Sequence, residues 1–245
     1  MARQAIGIET GDGVAKAVLV PPSSPAASKA GVILYMDAFG PRESLYSMAE
    51  RLAGHGYAVL VPDLFYRFGG YGPFDAATAF ANEKTGSLIR KMIAETTQDM
   101  TVRDSHAFIE TLSANGATGP IGTVGYCMGG ARALNAAAAY PARVLAAASF
   151  HGGNLAGDAP DSPHRRAVSI KARVYVGSAG VDRSFPPEQS SRLDEALRTA
   201  GVDYIIENYV GMEHGWCVSD HRIYDEKGAE RHWKRLTTFF AETLG

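Results

Sequence analysis

Residues 121–130 read IGTVGYCMGG, an apolar run that ends in a glycine cluster with a cysteine at its centre. Gly125-Tyr126-Cys127-Met128-Gly129 has the glycine spacing of a nucleophile elbow, G-x-S-x-G, with sulfur in place of the serine oxygen. In an elbow the central residue sits on a strained strand-to-helix turn, and small neighbours are needed where strand and helix pass closely. A glycine-rich turn around a buried structural cysteine fits the same five residues. The surroundings therefore decide.

On either side of this stretch, short Val/Ile/Leu runs alternate with helical periodicity. Strands are predicted at 30–36 (AGVILYM), 57–63 (YAVLVPD), 120–126, 144–150, 172–180 and 203–209. Helices are predicted at 44–54, 97–115, 128–140, 188–201 and 227–244. Asp12-Gly13 is a turn signal and suggests an N-terminal hairpin at a sheet edge. The stretch PPSSPAASKA (21–30) reads as a surface loop, and 64–97, rich in Gly, Ala and aromatics, as a long connection with short helices. The alternation predicts one α/β domain over 1–245, a mostly parallel sheet covered by helices on both faces.

Bulk properties narrow the function class. The chain has 245 residues, 46% of them hydrophobic, which suffices for a full core. A net charge of −2 with interspersed signs marks no nucleic-acid or anionic-membrane surface. No apolar run approaches the length of a membrane span, and the first twenty residues lack the apolar core of a signal peptide. Cys127 and Cys217 are the only cysteines, without CxxC or Cys/His ligand spacing, so neither a disulfide framework nor a metal site is expected. A cytoplasmic location is the expectation; nothing in the sequence sets an oligomeric state.

A thiol nucleophile needs a base, and the base needs an orienting acid. In α/β-hydrolase folds the chain order is nucleophile, acid, His. Asp182 follows the predicted strand 172–180, and His214 follows the last one, in GMEHGWC. Each lies after a strand, where a parallel sheet gathers functional groups. Among the other histidines, His55 and His232 read as structural or exposed, His106 lies on a helix, and His151 and His164 come too early for the order. His221 lacks the strand-to-glycine setting of His214, and Asp203, the competitor of Asp182, reads as a turn residue.

GYCMGG, the loop Asp182-Arg183-Ser184-Phe185-Pro186 and EHGW together resemble the dienelactone hydrolases, a cysteine branch of the α/β-hydrolase fold. YMDAFG (35–40) and GYAVLVPDLF (56–65) are similar to that family's early segments as well. The resemblance implies a Cys127–His214–Asp182 triad acting on small lactones or esters as substrates, with no cofactor or metal. It also implies a carboxylate after the early strand that helps to ionise the thiol; Asp37 stands where the family has a Glu. By position the oxyanion donors are the backbone N–H groups of Met128 and Ala38. Family members that cleave dienelactone bind its carboxylate through arginines, one of them four residues after the histidine. That position here is Val218, so a neutral ester or lactone is expected. Tyr66, Phe68, Tyr71, Phe74, Trp216 and Val218 are the candidate pocket residues, and Arg67 and Arg90 the candidates for a replacement cation. The rival readings are a catalytically silent small-molecule-binding protein and, more remotely, a redox protein using Cys127 and Cys217.

Overall fold

The computed structural model describes residues 3–23 and 29–245. Five residues of the expected surface loop, 24–28, lie outside the described residues. Eight strands form one sheet: β1 (Gln4–Thr10), β2 (Gly13–Val20), β3 (Gly31–Tyr35), β4 (Ala58–Pro62), β5 (Ile121–Tyr126), β6 (Val144–Phe150), β7 (Arg173–Val181) and β8 (Tyr204–Glu213). Their spatial order is β1-β2-β4-β3-β5-β6-β7-β8. The β1–β2 hairpin turns at the expected place, with Thr10 opposite Gly13, and is antiparallel to β4; every pairing from β4 onward is parallel.

The sequence dictates why the middle of the sheet is parallel. Every residue of β3, β4 and β5 is buried, as strands covered on both faces require. Ile33, Leu34, Val59, Leu60 and Val61 are fully buried, each contributing about 1.5–3 kcal/mol relative to exposure. Helices α1 (Glu43–Gly54) and α6 (Glu226–Leu244) are tied together by Arg51, which lies over the Trp233 ring and pairs with Glu230. α3 (Gln98–Ala114) packs against α4 (Met128–Ala139), and α4 against β5 and β6. α5 (Pro187–Thr199) follows β7.

One helix exceeds its expectation. Within 64–97, residues Glu83–Glu95 form α2, a full 13-residue helix capped by Asn82, whose side chain accepts the Thr85 N–H. No helix among the described residues is long and apolar enough to cross a membrane.

Candidate active site

Five successive strands of the sheet each deliver a polar residue just beyond their carboxyl ends. Asp37 follows β3, Cys127 follows β5, His151 follows β6, Asp182 follows β7 and His214 follows β8. The elbow explains its glycines. A Cβ at Gly125 would fall 1.9 Å from the Gly129 carbonyl oxygen, and one at Gly129 would fall 2.4 Å from that of Tyr35. Only glycine lets α4 start this close to β5 and β3. Cys127 itself has φ 56°, ψ −120°, a backbone strain that marks functional turns. It is the N-cap of α4, yet its side chain makes no capping hydrogen bond. Its backbone N–H donates to the Phe150 carbonyl at 3.2 Å and to Nδ1 of His151 at 3.1 Å.

His214 and Asp182 meet as the chain order implied. Nδ1 of His214 lies 2.8 Å from Oδ2 of Asp182, while Oδ1 of Asp182 accepts the backbone N–H and the hydroxyl of Ser184 at 2.8 and 2.7 Å. Burial disfavours the Asp182 carboxylate, but His214 and Ser184 outweigh it and hold its pKa below the ordinary value. Burial likewise opposes charge on His214. The Cys127 thiolate and Asp182 prevail, pushing the His214 pKa up to about 10. This arrangement favours the protonated imidazole of His214.

Among the described residues, the backbone N–H groups of Met128 and Ala38 have no hydrogen-bond acceptor. Met128 opens α4, where the helix dipole adds positive potential. Asp37 sits elsewhere than expected. Its fully buried carboxylate accepts from Arg42, from the Phe39 N–H and from Nε2 of His221, and no hydrogen bond joins it to Cys127 among the described residues. The charge is there, but it is spent on Arg42 and His221.

The sequence compares with known proteins in the same sense as this geometry. The model of the dienelactone hydrolase family matches residues 15–244. The chain belongs to the dienelactone hydrolase family. A Salmonella typhi protein provisionally named carboxymethylenebutenolidase is 29% identical over 219 residues, covering 87% of this chain and 77% of its own. A similarly named Synechocystis protein is 26% identical, with 87% and 86% covered. Among solved structures, a provisionally named dienelactone hydrolase from Klebsiella pneumoniae superposes with a TM-score of 0.85 at 22% identity, covering 98% of both chains. A dienelactone hydrolase-like promiscuous phosphotriesterase from metagenomic libraries gives 0.75 at 24% identity over the whole of both chains. The fold is that of the α/β-hydrolases, and the family makes the chain a hydrolase of the ester or lactone type.

In this family member the cavity at the thiol measures about 370 Å³. Cys127, His214, His221 and Arg222 line it together with Ala38, Phe39, Ala76, Ala77, Phe80, Ile93 and Ile223. None of the expected pocket residues is among them. Tyr66 bonds Thr10 at 2.6 Å and reaches Asp104, Phe68 packs on Phe65, and Tyr71 bonds Asp63 and stacks on Phe74. These pairs, with Arg67 held by Asp12 and Asp104, draw the start of the 64–97 connection onto the N-terminal hairpin. Trp216 and Val218 are fully buried, Trp216 under His151 and Tyr209. The chain turns inward directly after His214. Tyr71 and Phe74 instead line a larger cavity of about 620 Å³ that does not contain Cys127. Arg90 is exposed on α2 and lines neither cavity.

His221, set aside on sequence, is thus a wall of the site, and Arg222 stands exposed beside it with no ion pair among the described residues. His151, also set aside, holds the elbow. Neither had a local signal, because their roles come from contacts with residues far along the chain. Among the described residues no group of three or more His, Cys, Asp or Glu side chains is placed to hold a metal ion.

Proposed function

We propose that the protein hydrolyses small neutral carboxylic esters or lactones through Cys127, His214 and Asp182, by way of a thioester acyl-enzyme. The observation that carries this reading is the 2.8 Å His214–Asp182 pair, whose histidine lines the same cavity as a positive-φ elbow cysteine. The Cys127 thiolate attacks the carbonyl carbon, and the N–H groups of Met128 and Ala38 stabilise the oxyanion as it forms. Collapse expels the alkoxide, which takes the proton of the His214 imidazolium, leaving a thioester on Cys127. Water then attacks the thioester carbonyl while His214 removes its proton. The carboxylic acid departs and the thiolate returns. Asp182 holds His214 by Nδ1 throughout, so that Nε2 faces the chemistry.

The substrate preference rests on the walls. Ala38, Phe39, Ala76, Ala77, Phe80, Ile93 and Ile223 offer apolar surface to an acyl group, and a buried unpaired carboxylate costs several kcal/mol there. Stoichiometric iodoacetamide tests the nucleophile. It should abolish p-nitrophenyl acetate hydrolysis and label Cys127 ahead of Cys217, which is 3% exposed and whose thiol pKa burial pushes up. Labelling of Cys217 with activity retained would overturn the assignment. Absence of turnover of any neutral ester or lactone by the wild type would favour the silent ligand-binding alternative.

A further inference from the structure

One guanidinium lies between two carboxylates behind Phe39 and His221, two residues that line the site. Arg42 donates from Nη1 and Nη2 to Asp37 at 2.6 and 2.9 Å, and from Nε and Nη2 to Asp220 at 2.5 and 2.9 Å. Asp37 also accepts the Phe39 N–H on Oδ1 at 3.0 Å and Nε2 of His221 on Oδ2 at 3.1 Å. A carboxylate offers about four lone-pair directions. Four donors fill them here, so no position is left to receive a thiol proton. These partners also make Asp37 a weak base: although burial opposes its charge, His221 and Arg42 hold its pKa below the ordinary value.

The cluster joins two loops that matter to the chemistry. Residues 37–42 follow β3 and contain Ala38, whose N–H is the second oxyanion donor of the reading above. Asp220 and His221 belong to the loop that begins at His214. The His221 ring meets Phe39 edge-on at 5.3 Å. It also rests on the backbone beside His214: a Cβ at Gly215 would lie 2.2 Å from Nδ1 of His221. Because Asp37 is fully buried, losing Arg42 would leave its charge unpaired and losing His221 would leave one of its oxygens short of a donor, so the loop prefers this one arrangement.

We propose that Asp37, Arg42, Asp220 and His221 form a clasp that positions the oxyanion-donor loop, with His221 as a positioning residue, and that Asp37 does not deprotonate Cys127. The proposal rests on the triad reading. It reassigns the carboxylate that the family resemblance gives to the thiol.

Two rates separate these roles. Hydrolysis of p-nitrophenyl acetate develops an oxyanion; alkylation of Cys127 by iodoacetamide displaces iodide at an sp³ carbon, develops none, and reports the thiolate alone. In His221→Leu and Asp220→Ala, kcat should fall about ten- to hundredfold, a displaced donor costing part of what a deleted one costs. KM should change less than about threefold and the alkylation rate less than about twofold, since the thiolate partner His214 is untouched. His221→Gln, whose side-chain amide can still donate to Asp37, should recover most of the lost rate. Should His221→Leu fail to fold, Asp220→Ala carries the same pair of measurements, its carboxylate being 37% exposed. Alkylation slowing in parallel with hydrolysis would mean that the cluster serves the thiol, and unchanged hydrolysis would mean that it positions nothing; either result overturns the clasp. A Cys127→Ser protein that hydrolyses the ester at the wild-type rate would instead overturn the triad, whatever the clasp variants do.

Discussion

Nδ1 of His151 accepts the backbone N–H of Cys127 at 3.1 Å. An acceptor nitrogen carries no proton, so His151 is neutral with its hydrogen on Nε2. Burial holds its pKa well below the ordinary imidazole value, in keeping with that role. The ring also stands edge-on to His214 at a centroid distance of 4.9 Å. His151 therefore touches both the elbow and His214.

Replacing it should separate backbone from side-chain effects. His151 has φ 39°, a conformation that Asn tolerates and Leu does not. Asn can also accept the Cys127 N–H. His151→Leu should cost about 2–3 kcal/mol in urea unfolding, from left-handed strain together with a weakened hydrogen bond. His151→Asn should cost less than half of that. Equal losses would show that the ring's packing, not the bond to the elbow, sets the stability.

The pH dependence follows from His214. Its pKa in the folded protein, about 10, exceeds the unfolded value of about 6.5. The proton is held more tightly when folded, so this stabilisation is complete below pH ~6.5 and is lost as pH rises through about 10. In the proposed mechanism the same proton goes to the leaving group. The kcat/KM profile should accordingly hold through neutral pH and fall as pH passes about 10. Asp182→Asn should move that basic limb downward, because Asp182 is one of the groups that raise the pKa. A wild-type limb near pH 7 would contradict the raised His214 pKa.

How much of this was legible in sequence depended on how local its cause was. The elbow was readable because its glycines answer to contacts within a few residues of Cys127 and at the end of β3. The parallel strands were readable from buried runs such as Val32–Leu34 and Val59–Val61. Asp182 and His214 followed because each stands just after a strand. The pocket wall was not readable. Whether Tyr66 faces Cys127 or the hairpin is decided by Thr10 and Asp104, residues 56 and 38 positions away. Asp37 looked like a base for the thiol because its partners include residues 220-odd positions into the chain: His221 bonds it across 184 residues. α2 was underestimated because Gly86 interrupts its helical pattern.

Val218 gives a direct test of the corrected pocket. Its position four residues after His214 suggested a place for a carboxylate-binding arginine, yet the side chain is fully buried in the core. Val218→Arg would bury a guanidinium without a partner, at a cost of several kcal/mol. The expected result is a large drop in Tm or insoluble protein, with no gain in turnover of an anionic ester. A well-folded variant with improved activity on the anion would show that residue 218 reaches the cavity.

The last question is which acyl group the 370 Å³ cavity prefers. Arg222, which has no ion pair among the described residues, is exposed at the wall. An exposed pairing with a substrate carboxylate is worth about 0–1 kcal/mol. Desolvating that carboxylate against Phe39, Phe80 and Ile93 costs several. The cost prevails. A neutral ester such as p-nitrophenyl butyrate should therefore show a kcat/KM at least about tenfold above that of the p-nitrophenyl hemisuccinate of similar length, at 1.4 kcal/mol per decade. Arg222→Ala should lower kcat/KM for the hemisuccinate by no more than about fivefold, the scale of a screened surface pair, and leave the butyrate nearly unaffected. Phe80 is 49% exposed beside Arg222 in the same cavity wall; Phe80→Ala should weaken the butyrate more than the hemisuccinate, because it removes apolar surface that only the neutral chain can use. If the hemisuccinate proved the better substrate, and Arg222→Ala selectively raised its KM, then Arg222 would be an anion subsite and the neutral preference would be wrong, while Cys127, His214 and Asp182 kept their roles.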